Sequence, residues 1–452
     1  SGGTYVAYIF AHDAQDFGTN SDEAIIKCGG YTGNGSSTGP TIDLGFEPQW
    51  LMIKKSSGAA GWYMYDNMRG VATGGNDPLL YADATNSEAG SQNIVDFTSS
   101  GFQIVNADGD INANSASHIY MAIRRPHKPA SELAAADLFK PFIYTGTSGT
   151  GTSAVIDAPT SPQAIDLAFF KSRQLNGRDW QVITRLISSP WPSSGTKSPK
   201  GLHFNTTDSE ADLYSVKTFT GRDLGVSQDS SGNLNVNGES YAAWRFSRAP
   251  GFFDITTWTG TGSAQTVNHN LNAVPELIIA KSNTYNAVFN NWTVYSTTGT
   301  ATKALYLDTA DSLVESPNFW NDTTPTSSVF SVGSVNSRSS ETHIAYLFAS
   351  VAGISKVGSY TGTGNDINVN CGFTNGARFV MVKRTDSSGD WYVFDTARGI
   401  VAGNEGYLRF NLANDEDSAD YIDPLSSGFT VTSSAPTGMN NNGGTYIFLA
   451  IA

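Results

Sequence analysis

Apolar residues in this chain fall into short runs, and clusters of Gly, Ser, Thr, Asn and Asp separate them. Gly39-Pro40, Ser56-Ser57-Gly58, Ser99-Ser100-Gly101 and Asp108-Gly109-Asp110 are such breaks. Long amphipathic stretches rich in Ala, Glu, Lys and Leu are missing, and only short helices fit, for example across residues 131–139. Many short strands split by turn signals predict an all-β protein of β-sandwich or jelly-roll type.

The runs repeat. An aromatic-Thr-Gly phrase opens four segments, at Tyr31, Tyr144, Trp258 and Tyr360. In each, a polar turn and an apolar run ending in lysine follow: Trp50 to Lys54, Leu167 to Lys171, Leu277 to Lys281 and Phe379 to Lys383. A second turn then leads to Trp62, Trp180, Trp292 or Trp391. Tyr31 lies 23 positions before Lys54, 31 before Trp62 and 38 before Arg69, and Tyr360 keeps the same distances to Lys383, Trp391 and Arg398. An aromatic-rich strand closes each copy, as in His118–Ile123 and Thr445–Leu449. Self-similarity at this spacing is the signature of a repeat architecture.

The reading is a tandem array of four β-sandwich or jelly-roll-like modules over residues 25–126, 137–249, 252–350 and 354–452. Residues 1–13 hold a fifth closing strand, Thr4 to Phe10, assigned to an upstream module, and Leu449 to Ala452 is expected to be the natural terminus. Linkers such as Arg248-Ala249-Pro250-Gly251 are brief, so the array is expected to be semi-rigid.

Composition narrows the partners. Charged residues make up 15%, with 27 basic against 41 acidic and a net charge of −14. A field of that sign repels phosphate backbones and anionic lipid, so nucleic acid is not an expected partner. No apolar run approaches the ~18 residues of a membrane span, and no membrane insertion is expected. The two cysteines, Cys28 and Cys371, are too few and too far apart for a disulfide framework and read as buried free thiols.

Candidate chemistry is sparse. Gly33-Asn34-Gly35 and Gly362-Thr363-Gly364 precede strands, so they read as hairpin turns instead of phosphate loops. Asp66 with Arg69, and Asp395 with Arg398, read as internal pairs bracing a corner, with a tryptophan ring against the guanidinium. Asp108 and Asp110 form a weak calcium candidate, because no glutamate closes the ring of oxygens. The six histidines have no metal-ligand spacing and no Gly-x-Ser-x-Gly elbow appears, so no catalytic residue, resident metal or cofactor is expected. Trp62, Trp180, Trp292 and Trp391 sit at fixed repeat positions and read as core. Trp191, Phe319 and Trp320 break the repeat and are the binding candidates, with the loops 188–200 and 315–324 around them.

Several phrases carry a family resemblance: Thr4 to Asp13, Ala122-Ile123-Arg124-Arg125-Pro126, Arg248 to Asp254, Thr266 to Leu271 and the final Ala450-Ile451-Ala452. Together they resemble an uncharacterised repeat family of virion proteins in marine tailed phages, and the resemblance covers essentially the whole chain. It implies an external virion protein: a tail-fibre-like adhesin contacting the host surface, or alternatively a capsid knob, decoration or other purely structural piece. It also implies other virion proteins as partners, a host glycan or protein as receptor, and a homotrimer. No catalytic residue carries over, and the protein is expected not to be an enzyme.

Overall fold

The computed structural model describes residues 4, 6–12, 23–71, 73–147, 154–157, 163–187, 200–213, 216–219, 223–227, 233–285 and 290–452. The protein is all-β, built of separate antiparallel sheets, and no helical segment among the described residues exceeds four residues. The short helical turns across residues 131–139 are present, at Ala130–Glu132 and Ala135–Leu138.

One strand order recurs at the four matched places. An opening strand pairs with a closing strand, which pairs with the lysine-ended strand, which pairs with the tryptophan strand. In the last copy these are Ser355–Thr361, Thr445–Ile451, Phe379–Arg384 and Trp391–Asp395, extended by Glu405–Arg409. In the first they are Ile26–Thr32, Ser117–Arg124, Pro48–Lys55 and Trp62–Asp66, extended by Leu80–Tyr81. A second, smaller sheet lies across one face, such as Ile367–Asn370, Gly428–Val431 and Ile422–Leu425.

The aromatic-Thr-Gly phrase has a physical reason at each position. The aromatic stacks on a ring of the closing strand: Tyr31 on His118, Tyr144 on Tyr241, Trp258 on His343 and Tyr360 on Tyr446. The glycine is required by close approach. A β-carbon on Gly33 would lie 2.3 Å from the Ala113 carbonyl oxygen, and on Gly260 2.0 Å from that of Arg338. The next N–H is received by a side chain just ahead of the closing strand. Asn34 donates to Asn112 Oδ1, Thr147 to Asn235 Oδ1 and Thr363 to Asn440 Oδ1.

The chain divides into two compact units, residues 1–127 and 128–452. The first has its own core between its two sheets, centred on Leu51, Ile53, Tyr65 and Phe102. The second contains three sandwiches with an inner core each. It also has a larger shared core, to which all three contribute the other face of their large sheets. Modules two to four of the array thus close on one another. Phe379 and Met381 face the shared core while Val380 and Val382, alternating with them, face the inner one. Covering both faces is what a continuous apolar run requires.

Residues 6–12 form no strand, and Val6, Tyr8, Ile9 and Phe10 are exposed. A closing strand holds its place between an opening strand and a lysine strand, and in each described sheet that place is already filled. Cys28 is half-buried, against the buried position expected of it, while Cys371 is buried; both are free thiols.

Gly33→Ala is expected to lower the stability of the first unit by about 1–3 kcal/mol, because backbone must move to admit the methyl group. Gly109→Ala, with nothing within 4 Å of the added carbon, should leave the thermal midpoint unchanged. Equal midpoints for the two variants would contradict this account.

Candidate functional site

The densest constellation of repeat-matched residues is the seam of the second unit. Trp180 Nε1 donates to the Arg409 carbonyl at 3.0 Å. Trp391 Nε1 donates to the Tyr306 carbonyl at 2.7 Å, and Trp292 Nε1 to the His203 carbonyl at 2.8 Å. Module two thus holds module four, four holds three, and three holds two, which closes a ring. A backbone bond repeats the cycle: Glu416 N to Arg173 O, Leu313 N to Thr385 O and Glu210 N to Asn283 O. Trp180, Trp292 and Trp391 are each fully buried.

The three lysines that end the apolar runs of modules two, three and four belong to this seam. Lys171, Lys281 and Lys383 are 0–1% exposed. Each donates to the carbonyl two residues before its own tryptophan, at Arg178, Asn290 and Gly389. Lys171 and Lys281 also reach the neighbouring module, at Ala413 O and Thr206 O. Lys281 and Lys383 lie 5.5 and 5.7 Å from the centres of their tryptophan rings. Burial pushes all three ammonium groups down to about 8, with nearby aspartates such as Asp179, Asp308 and Asp390 opposing it.

The acid–arginine pairs are internal braces. Arg69 Nε meets Asp66 Oδ2 at 2.6 Å and its Nη2 donates to Met64 O. Arg398 repeats this with Asp395 at 2.7 Å and Val393 O. The ring against the Arg398 guanidinium is Trp244 of module two, at 5.4 Å, and Trp244 Nε1 donates to Asp395 Oδ2 at 3.1 Å. Arg173 also grips Glu416 through two bonds of 2.8 and 2.7 Å. All these polar groups are consumed by the scaffold. The void at the middle of the seam measures about 20 Å³, and its walls include Phe169, Phe204, Tyr346 and Phe410. A dry apolar space of that size has no room for a ligand.

Two binding candidates need correction. Phe319 and Trp320 lie on the short helix Pro317–Trp320 and are 5% and 1% exposed. They fill the inner core of module three, Trp320 against Tyr295 and Phe319 against Tyr306, and offer no ring to a ligand. A loop-like sequence hid them because the four-residue helix is too short to show a period. Trp191 and most of its loop lie outside the described residues.

The calcium candidate also dissolves into turn chemistry. Asp108 Oδ1 accepts from Asp110 N at 2.8 Å, and Asp110 Oδ2 from Tyr63 OH at 2.8 Å. Asn112 is fully buried and bonded to backbone on both sides. Among the described residues, no three His, Cys, Asp or Glu side chains cluster as metal ligands would.

One open feature was missed from sequence. A polar cleft of about 100 Å³ in the first unit is lined by Tyr63, Asp77, Tyr81, Gln92 and Asp108, among others. Asp77 Oδ2 accepts the N–H groups of Ile94 and Val95, while its Oδ1 is buried with no partner among the described residues. Burial holds the Asp77 carboxyl well above the usual range. Glu405 is its counterpart in module four, accepting from Tyr421 N and Ile422 N, with burial pushing it up to about 7. The signal was available as Gly75-Asn76-Asp77 against Gly403-Asn404-Glu405, but the register slips by one residue between the copies.

Fold and seam together define a class: an all-β repeat protein whose repeated polar and aromatic residues hold modules to one another. The chain belongs to a family described as a domain of unknown function, DUF7483, whose model matches residues 1–126 and 134–452. No curated protein matches it.

Two outcomes follow from the seam. Trp292→Phe keeps a ring but strands the His203 carbonyl, and should destabilise the second unit by about 1–3 kcal/mol in denaturant titration. For the lysines, the folded value near 8 lies below the unfolded value of about 10.4, so the unfolded chain binds more protons between them. Stability should therefore rise from about pH 7.5 to about pH 9. Above about pH 10 the trend reverses, because burial keeps tyrosines such as Tyr144 and Tyr360 protonated only in the fold. A thermal midpoint that is flat from neutral to pH 9, or unaltered in its slope by Lys281→Met, would overturn this assignment.

Proposed function

We propose that this chain is an external virion component, a tail-fibre-like adhesin that sits among other virion proteins and makes reversible contact with a host surface glycan or protein. One observation carries the reading: the ring of tryptophan bonds ties three sandwiches into one body and spends the repeated polar residues inside it. Such a body suits projecting a surface, and specificity then lies where the modules differ. The phage-like phrases at residues 4–13, 122–126 and 248–254 support the same reading.

The cleft beside Tyr81 is where a sugar would find both a partly exposed ring and the Asp108 carboxyl as an acceptor. Its acidic walls suit a neutral or cationic partner over a phosphorylated one. On this reading the protein binds and releases without altering its partner.

Localisation is the test. Antibody raised against the chain should decorate the tail of purified virions in electron micrographs. Label confined to the capsid shell would replace the fibre reading with decoration. On an array of host polysaccharides the chain should give binding that Asp108→Ala weakens, and a flat response would remove the glycan as receptor.

A further inference from the structure

The first unit carries the seam face of the other modules without a seam. Its large sheet alternates as theirs do. Leu51 and Ile53 point into its inner core and are fully buried. Trp50, Met52, Trp62 and Met64 lie on the opposite face and are only half-buried. Ile119, on the closing strand of the same sheet, is 45% exposed.

Strand register identifies what this face corresponds to. Met52 pairs with Met121 and with Met64, as Met381 pairs with Leu449 and with Val393. Lys54 pairs with Ile119, as Lys383 pairs with Ile447. Met381, Val393, Ile447 and Leu449 all belong to the shared core of the second unit. The bonding edge corresponds too. Trp62 N is held by Asp83 as Trp391 N is held by Asn411, and Ala82 N donates to Trp62 O as Phe410 N does to Trp391 O. By that register the Tyr81 carbonyl occupies the place of the Arg409 carbonyl, which receives Trp180. Arg69 reaches Glu88 at 3.5 Å as Arg398 reaches Glu416 at the same distance.

The geometry points to a homotrimer formed through this face, in which residues 23–127 of three copies of the chain close the ring that modules two, three and four close within one chain. Trp62 of each copy donates to the Tyr81 carbonyl of the next, and Glu88 N donates to the Ser56 carbonyl. The occupant is a second and third copy of this unit because the face is self-complementary around a closed ring: donor edge and acceptor edge lie on the same sheet. Met64 and Met121 take the places that Val, Leu, Tyr and Trp take in the second unit, while Met52 matches Met381; their flexible chains fit a contact among identical surfaces. Closing the ring would take the apolar area of such a face out of water, which favours assembly. This assembly holds whether or not the chain proves to be a virion protein, so localisation and trimer formation fail independently.

Light scattering on the eluting full chain measures it. The expected mass is three times the 48.1 kDa of one chain. Met52→Glu and, separately, Ile119→Lys should each return the protein to single-chain mass while its circular dichroism melt stays cooperative. Ile119 is the gentler site, since its side chain already meets solvent. A wild-type chain that stays monomeric or stops at a dimer at micromolar concentration overturns the proposal. So does a trimer that survives both substitutions in folded protein.

Discussion

The structure depends on one constraint: a sheet that is apolar on both faces needs a partner on each. In every module the small sheet covers one face. In the second unit, neighbouring modules cover the other, and the indole bond from tryptophan to a neighbour's carbonyl sets how they meet. Apolar burial is non-directional, so by itself it would let the three sandwiches slide. A buried N–H has one direction and is costly to leave unmade, and three such bonds in a cycle fix the arrangement.

The buried lysines belong to the same logic. An ammonium group in an apolar seam is tolerable only where carbonyls surround it. Lys171, Lys281 and Lys383 meet that condition by tying their own tryptophan loops and, for two of them, the next module. Their lowered proton affinity is the measure of what burial costs them. The Asp395–Arg398 pair is similar: it braces a strand end and at the same time presents a flat cation to Trp244. Bracing within a module and docking between modules use the same side chains, so a change at one is felt in both.

Much of this was legible in the sequence. The recurring order of opening aromatic, lysine and tryptophan placed the strands, while runs such as Phe379 to Lys383, apolar at every position before the lysine, gave no sign that they would face two cores. The internal role of Asp66–Arg69 and Asp395–Arg398 was also legible, because an acid three residues before an arginine at a strand end can reach it. Phe319 and Trp320 were misplaced, because polar neighbours make a buried helical turn look like a loop. Asp77 and Glu405 went unseen because one inserted residue breaks the match between copies, although their bonds to backbone are alike.

What the sequence determined by itself is local: which residues form strands and where turns must fall. These follow from short-range sterics and from period, which any copy of the repeat carries. What only the tertiary structure decided is the fate of the second face. The apolar run around Met52 and the one around Met381 read alike, yet one closes on neighbouring modules of its own unit and the other stands half open. The difference lies in which surfaces the fold brings together, and that depends on residues hundreds of positions apart, whose pairing no local pattern records.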